Sequence, residues 1–131
     1  MKTPFRTGDS KTFERVVTTG DVAAFESGTV HEVYSTFALA RDAEWSGRLF
    51  VLEMKEEQEE GIGTGITIHH HSPAFVGEKV LFTSVLSEVK GNEVITDYSA
   101  HVGSRLIADG RQWQKILPKE KLKKIMKEVR K

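Results

Sequence analysis

The longest hydrophobic pattern in the chain runs from Ser35 to Glu60 and predicts one long helix. Apolar side chains recur there every three or four residues, which places them on one face of a helix. Ser35 or Thr36 can provide the N-cap, and Gly61 and Gly63 end the pattern. The predicted stripe consists of Ala38, Asp42, Trp45, Leu49 and Leu52, and it is widened by Phe37 and Ala40.

After this helix the hydrophobic period changes to the alternation that is typical of β-strands. Gly91-Asn92 marks a hairpin turn, whereas Asp109-Gly110 is expected to lie inside a continuing or bulged strand. The four strands predicted here are Ile62–His71, Lys79–Lys90, Glu93–Gly103 and Leu106–Leu117. We therefore expect an α+β fold in which an antiparallel sheet wraps one long central helix.

Shorter elements are expected at the two ends of the chain. Residues 1–10 read as a loose lead-in, and β-branched residues predict a strand over Thr12–Thr19. A short helix or turn is expected around Val22–Phe25, between breaks at Gly20-Asp21 and Ser27-Gly28. Pro118 ends the last strand and a basic helix follows over 119–131, so the whole chain 1–131 is predicted to be one domain.

The C-terminal helix is amphipathic and strongly basic. Its apolar positions are Leu122, Ile125, Met126 and Val129, and it carries seven basic residues against two acidic ones. It is therefore either a solvated helix docked on the body or a flank that attracts a nucleotide phosphate or another polyanion.

Composition restricts the possible functions. The 131 residues contain 19 basic and 19 acidic side chains, so the whole-chain charge gives no reason to expect a nucleic-acid partner. The absence of cysteine excludes disulfides, thiolate metal sites and a cysteine nucleophile. No apolar run approaches the roughly 20 residues that cross a bilayer, and the N-terminus lacks the apolar core of a signal peptide. We expect a cytoplasmic protein without membrane contact.

Thr36 and Glu44 are the first candidates for chemistry. Thr36 can be an ordinary helix cap or a hydroxyl at the positive end of the helix dipole, and Ser35 competes for either role. Glu44 can be a reactive carboxylate or a member of an ion-pair ladder with Arg41 and Arg48. Eight helical residues span about 12 Å, so Thr36 and Glu44 cannot touch along one straight helix. Either the helix starts after Thr36 and the chain folds back, or one site combines residues from two subunits.

Three successive histidines, His69, His70 and His71, lie on the next predicted strand. Strand alternation places His69 and His71 on one face, where they could bind a metal, but no third ligand stands at a characteristic spacing. His70 shares its parity with Ile66 and Ile68, which look core-facing. We therefore expect His70 on the helix side, as a core histidine or a catalytic one, and we expect no metal site.

These residues together resemble the fluoroacetyl-CoA thioesterase-like branch of the hotdog-fold thioesterases. The resemblance is carried by Ser35-Thr36-Phe37, Glu44-Trp45, Gly63-Thr64, and His70 followed by Gly77. It implies a hotdog fold that acts on acyl-CoA thioesters as a homodimer or a dimer of dimers. By resemblance, Thr36, Glu44 and His70 are the catalytic set. Gly63, Ser35 and Phe37 contact the substrate, and no cofactor is needed because the CoA moiety belongs to the substrate.

The sequence departs from the branch at two places. The late strand of the family often ends in a Gly-Thr-His-x-Arg pattern, whereas Gln112 and Gln114 replace the histidine and the arginine here. Val30 stands where the fluoroacetate-specific enzyme has an aromatic lid, so specificity for fluoroacetyl-CoA is not expected.

The sequence thus predicts an acyl-CoA thioesterase for short or small acyl groups. A thiolate leaves readily, because its pKa is near 8.5, so the main demands are to activate water and to stabilise the oxyanion. The alternative is a non-catalytic acyl-CoA-binding hotdog module, which the two glutamines favour. A hotdog hydratase or dehydratase and a purely structural protein are the remaining alternatives.

Overall fold

The computed structural model of the chain describes residues 1–25 and 28–130. Its elements are strands β1 (Ser10–Val16), β2 (Val22–Phe25), β3 (Gly28–Tyr34), β4 (Glu59–Ile66), β5 (His69–His70), β6 (Lys79–Lys90), β7 (Glu93–Val102) and β8 (Arg105–Pro118), and helices α1 (Thr36–Met54) and α2 (Lys119–Val129). A short 3-10 turn, Thr19–Asp21, precedes β2. The main sheet is antiparallel in the order β1-β6-β7-β8-β4, with β5 added on β8. The expected α+β hotdog arrangement is therefore confirmed.

Helix α1 packs across the sheet because one face of it is apolar or small. Its buried positions are Ala38, Leu39, Asp42, Ala43, Ser46, Gly47, Phe50, Val51 and Met54. The predicted stripe was only partly correct, since Ala38 and Asp42 are buried whereas Trp45 and Leu52 are exposed. The predicted length was also wrong: the helix ends at Met54, and the expected frayed end gives way to β4 at Glu59.

The core has two parts along this helix. Leu39 and Ala43 pack with Phe82 and Tyr98 around the first half, while Phe50 and Met54 pack with Leu86, Val94 and Ile116 around the second. The N-terminal segment does not form the expected loose lead-in. Phe5 packs edge-on against Phe50, and the amino group of Met1 pairs with Glu59 at 2.9 Å.

The predictions for two segments, a short helix or turn over Val22–Phe25 and one continuous strand over Ile62–His71, were wrong. Val22–Phe25 is a strand that pairs with β3 in a separate two-stranded sheet, because the sequence pattern did not show the partner strand Gly28–Tyr34. The predicted strand Ile62–His71 is divided into β4 and β5, and a register shift lies between Gly63 and Gly65. The predicted break at Ser27 and the last residue of the predicted C-terminal helix, Lys131, lie outside the described residues.

The later strands follow the prediction closely. β6 has the predicted bounds, Gly91-Asn92 connects it to β7, and β8 continues through Asp109-Gly110. Gly110 permits this continuation because a Cβ there would overlap the backbone carbonyl of Thr67. Helix α2 confirms a helix after Pro118, and none of its residues is buried.

Candidate active site

Helix α1 begins at Thr36, and Ser35 is its N-cap. The Ser35 hydroxyl accepts a hydrogen bond from the backbone N–H of Ala38 at 3.1 Å. This cap leaves the Thr36 hydroxyl available, and it lies 3.0 Å from Nε2 of His70. The expectation that His70 faces the helix is confirmed. Ser35 has a structural role as the cap, and its predicted contact with substrate stays a prediction.

His70 reaches the helix even though the strand alternation used to predict this was partly wrong. Ile66 is 38% exposed, whereas Ile68 packs partly buried against the core. The register shift near Gly63 changes the parity of β4, and β5 then restarts the pairing with β8 opposite Ala108 and Asp109. A cavity of about 300 Å³ lies beside His70 and is lined by Tyr34, Leu39 and Ile107, among others.

Glu44 forms a second cluster with Gly63. A Cβ on Gly63 would overlap Oε1 of Glu44, so the carboxylate lies directly against the glycine backbone. Both residues line a cavity of about 280 Å³ together with Ala40, Arg41, Gly65 and Ile66. The structure thus brings together two of the predicted site residues that lie nineteen positions apart in the sequence.

The alternative ion-pair ladder at Glu44 is absent among residues 1–25 and 28–130. Arg41 binds Asp42 and Asp21, with its Nη2 at 3.0 and 3.1 Å from their carboxylate oxygens. Arg48 binds Oε1 of Glu60 at 2.8 Å, and this hydrogen bond is the main reason that the pKa of Glu60 is lowered. Both arginines are therefore committed elsewhere, and the carboxylate of Glu44 is exposed.

The two clusters lie on the same helix but do not meet. Because α1 starts at Thr36, the chain does not fold back before Glu44, and this part of the earlier expectation was wrong. The eight-residue spacing separates them by about 12 Å along the axis. A site that uses both clusters on one carbonyl therefore requires a second copy of the chain.

Two other predicted features have clear positions. Phe37 is 69% exposed at the start of α1. His71 binds Oδ1 of Asp109 at 2.9 Å, and the part of the chain that the structure describes contains no group of three or more side chains that could hold a metal. The prediction at Val30 concerns a side chain outside those described.

Gln112 and Gln114 are buried side by side beneath α1. In the sequence, they were recognised only as replacements for the histidine and the arginine of the family pattern. They are 1% and 2% exposed, and Nε2 of Gln114 donates to Oε1 of Gln112 at 2.6 Å. The alternation along β8 could have indicated their burial, because Ile116 continues the same face. Their contact with the Glu44 backbone could not be foreseen from the sequence.

Comparison with known proteins identifies the family of the chain. Residues 17–120 match the family described as FlK, fluoroacetyl-CoA-specific thioesterase. The chain belongs to this family. It is accordingly a thioester hydrolase, which confirms the predicted enzyme class and the resemblance on which that prediction rested.

Solved structures show the same fold over nearly the whole chain. A Thermus thermophilus hypothetical protein, described as a thioesterase superfamily member, is 34% identical with a TM-score of 0.92, covering 97% of this chain and 94% of that one. The fluoroacetyl-CoA thioesterase FlK is 23% identical with a TM-score of 0.89, covering 96% and 98%. A single-residue mutant of FlK in complex with fluoroacetate and CoA is 26% identical with a TM-score of 0.81, covering 90% and 99%. The search of curated proteins gave no significant match.

Proposed function

We propose that the protein hydrolyses acyl-CoA thioesters of short or small acyl groups and uses Glu44 as its reactive carboxylate. The observation that carries this proposal is the exposed Glu44 carboxylate, which lies against the Gly63 backbone without a cation bound to it. A carboxylate that is not engaged by an arginine keeps its lone pairs for a water molecule or for the thioester carbon.

The size of the acyl group is inferred from the walls around Glu44. Ala40, Gly63 and Gly65 are small, and the cavity that they line with Glu44, Arg41 and Ile66 measures about 280 Å³. Such a space suits a group of a few carbon atoms better than a long chain. Fluoroacetyl-CoA is one member of this class, and the sequence, with Val30 where the fluoroacetate-specific enzyme has an aromatic lid, gives no reason to expect a special preference for it.

The remaining site residues stabilise the thioester carbonyl and relay a proton during hydrolysis. The backbone N–H of Gly63 and the N-terminus of α1 are suited to stabilise the developing oxyanion. The Thr36 hydroxyl, 3.0 Å from Nε2 of His70, positions the thioester and relays a proton. Phe37, exposed beside Thr36, provides an apolar wall for the substrate.

The 12 Å separation of the two clusters supports a homodimer in which each site takes Glu44 from one copy and Thr36 with His70 from the other. Mixing Glu44→Gln with His70→Ala tests this arrangement. Random reassociation makes half of the dimers heterodimers, each with one intact site, so about a quarter of wild-type turnover should return. If each site uses one copy only, the mixture stays as inactive as its components.

Thiol release from a panel of acyl-CoAs, from acetyl to long-chain and aryl, tests the function itself. We expect turnover to be highest for small acyl groups and at least about 100-fold lower in His70→Ala and Glu44→Gln. The Glu44→Gln preparation also controls for contaminating hydrolases. Binding of CoA without turnover of any acyl-CoA would instead support the non-catalytic binding module.

A further inference from the structure

The buried pair Gln112 and Gln114 lies directly beneath the turn of α1 that carries Glu44. Nε2 of Gln114 donates to the backbone carbonyl of Glu44 at 3.4 Å as well as to Gln112. Nε2 of Gln112 donates in turn to the carbonyl of Trp113 at 3.1 Å. A continuous chain of amide hydrogen bonds therefore joins the helix backbone to strand β8.

Helix α1 packs closely against the side chains of Gln112 and Gln114. A Cβ on Gly47, one turn after Glu44, would stand 2.5 Å from Oε1 of Gln112 and 3.2 Å from Nε2 of Gln114. Only glycine lets the helix approach so closely. The same Gln112 amide nitrogen lies 3.7 Å from the Cβ position of Gly63, the position that Glu44 Oε1 also approaches. Gln114 thus contacts the Glu44 backbone, and Gln112 lies beside Gly63.

We propose that the Gln112–Gln114 pair positions Glu44 by fixing its turn of the helix relative to Gly63. The inference rests on the proposed function, since it assumes that Glu44 acts on the thioester. Buried amides stabilise a core less than apolar side chains unless their hydrogen bonds are made, but those bonds are directional and allow only one arrangement. Apolar packing alone would permit small sliding motions of the helix over β8.

The main test compares Gln114→Met with the wild-type enzyme. Methionine is close in size but cannot donate to the carbonyl of Glu44, so that turn is held less precisely. We expect kcat to fall by roughly 10- to 100-fold while KM changes little, because a displacement of about 1 Å has effects of this size. Gln114→His, which keeps an N–H at similar reach, should restore part of kcat.

Thr96→Val is the matched control within the same buried layer. The Thr96 hydroxyl lies 2.8 Å from the Cβ position of Gly47 but has no hydrogen-bond partner in the described chain. Its removal alters the packing beneath the helix without touching the Glu44 carbonyl. We expect kcat and KM of this variant to match the wild type when corrected for the folded fraction.

Backbone hydrogen exchange provides a readout that does not depend on activity. Helix geometry makes the amide of Arg48 the intrahelical donor to the Glu44 carbonyl. We expect this amide to exchange faster in Gln114→Met but not in Thr96→Val. If Gln114→Met keeps wild-type kcat and Arg48 exchange, the positioning role is wrong while the proposed function stands. If the wild type hydrolyses no acyl-CoA, the proposed function fails, and exchange at Arg48 alone then decides whether the pair holds this turn.

Discussion

Asp42 and Glu44 lie two residues apart on α1 and have opposite environments. Asp42 is 1% exposed, accepts a hydrogen bond from the Tyr34 hydroxyl, and binds Arg15 and Arg41 at 3.1 and 3.0 Å. Burial, followed by this hydrogen bond, raises the pKa of Tyr34 above its usual value. Glu44 is exposed, and its carboxylate contacts the backbone of Gly63.

The difference shows that local contacts, and not the spacing along the helix, decide which carboxylate is paired. Every oxygen of Asp42 is engaged, so this residue ties β1, β3 and α1 together and has no capacity left for a substrate. Arg41 binds Asp42 and Asp21, and Arg48 binds Glu60. Among the described residues, no cation is therefore left to pair with Glu44. A reactive carboxylate can therefore stand between two arginines in the sequence without being neutralised by them.

The largest expected effect on stability belongs to Asp42→Asn. The substitution leaves the half-exposed Arg15 and Arg41 and the buried Tyr34 hydroxyl without their anion, and a hydrogen bond to a charged group contributes about 1.5–3 kcal/mol. We expect the free energy of unfolding to fall by about 3 kcal/mol, measured by chemical denaturation. Asp97→Asn, at the exposed pair with Arg111, serves as the control and should be far milder.

Gly63→Ala tests Glu44, the second carboxylate of the comparison, through the glycine that it contacts. Its Cβ would displace the Glu44 carboxylate, while the backbone of Gly63 does not require glycine. We expect kcat/KM to fall roughly 100-fold with the free energy of unfolding changed by no more than about 1 kcal/mol. The double variant Gly63→Ala/Glu44→Gln should be no worse than Glu44→Gln alone, and additive losses would show that Gly63 acts independently.

Thr36→Val is expected to have a smaller effect. It removes the hydroxyl that lies 3.0 Å from His70 and keeps the shape of the side chain. The loss of one such hydrogen bond predicts about a tenfold decrease in kcat. Thr36→Ser, which retains the hydroxyl, should stay close to the wild type. Equal activity in Thr36→Val and the wild type would remove Thr36 from the catalytic set.

The smallest expected effect is a pH dependence at Asp21. Burial would raise the pKa of this carboxyl, but hydrogen bonds from the Thr18 backbone and from Arg41 outweigh burial and lower it below the ordinary 3.8. The stability that it contributes is therefore present above the unfolded pKa and is lost as the pH falls through the folded one. The difference in unfolding free energy between wild type and Asp21→Asn should shrink below about pH 4. A difference independent of pH would contradict this.

The regular part of the fold was predictable because its signals are local. The alternation in β6, β7 and β8 and the turn at Gly91-Asn92 predicted the ends of these three strands to within one residue. The hairpin of β2 and β3 was missed because Val22–Phe25 is too short to show a period, and its pairing contains two irregularities. The end of α1 was missed because Lys55–Glu60 is composed of good helix formers.

The site was predictable only in part, because its geometry depends on contacts between distant segments. The positions of Thr36, Glu44, Gly63 and His70 followed from the family resemblance, and the 12 Å limit followed from helix geometry. The sequence could not show that Arg41 turns to Asp42 and Asp21, since Glu44 stands at an equally suitable spacing. Nor could it show that two glutamines on β8 support the Glu44 turn.

Turnover and stability of Glu44→Gln, measured side by side on the best acyl-CoA substrate, test the central claim most directly. The account predicts that kcat/KM falls by at least about 100-fold, while the free energy of unfolding stays within about 0.5 kcal/mol of the wild type. Full turnover in Glu44→Gln would contradict the assignment of the reactive carboxylate.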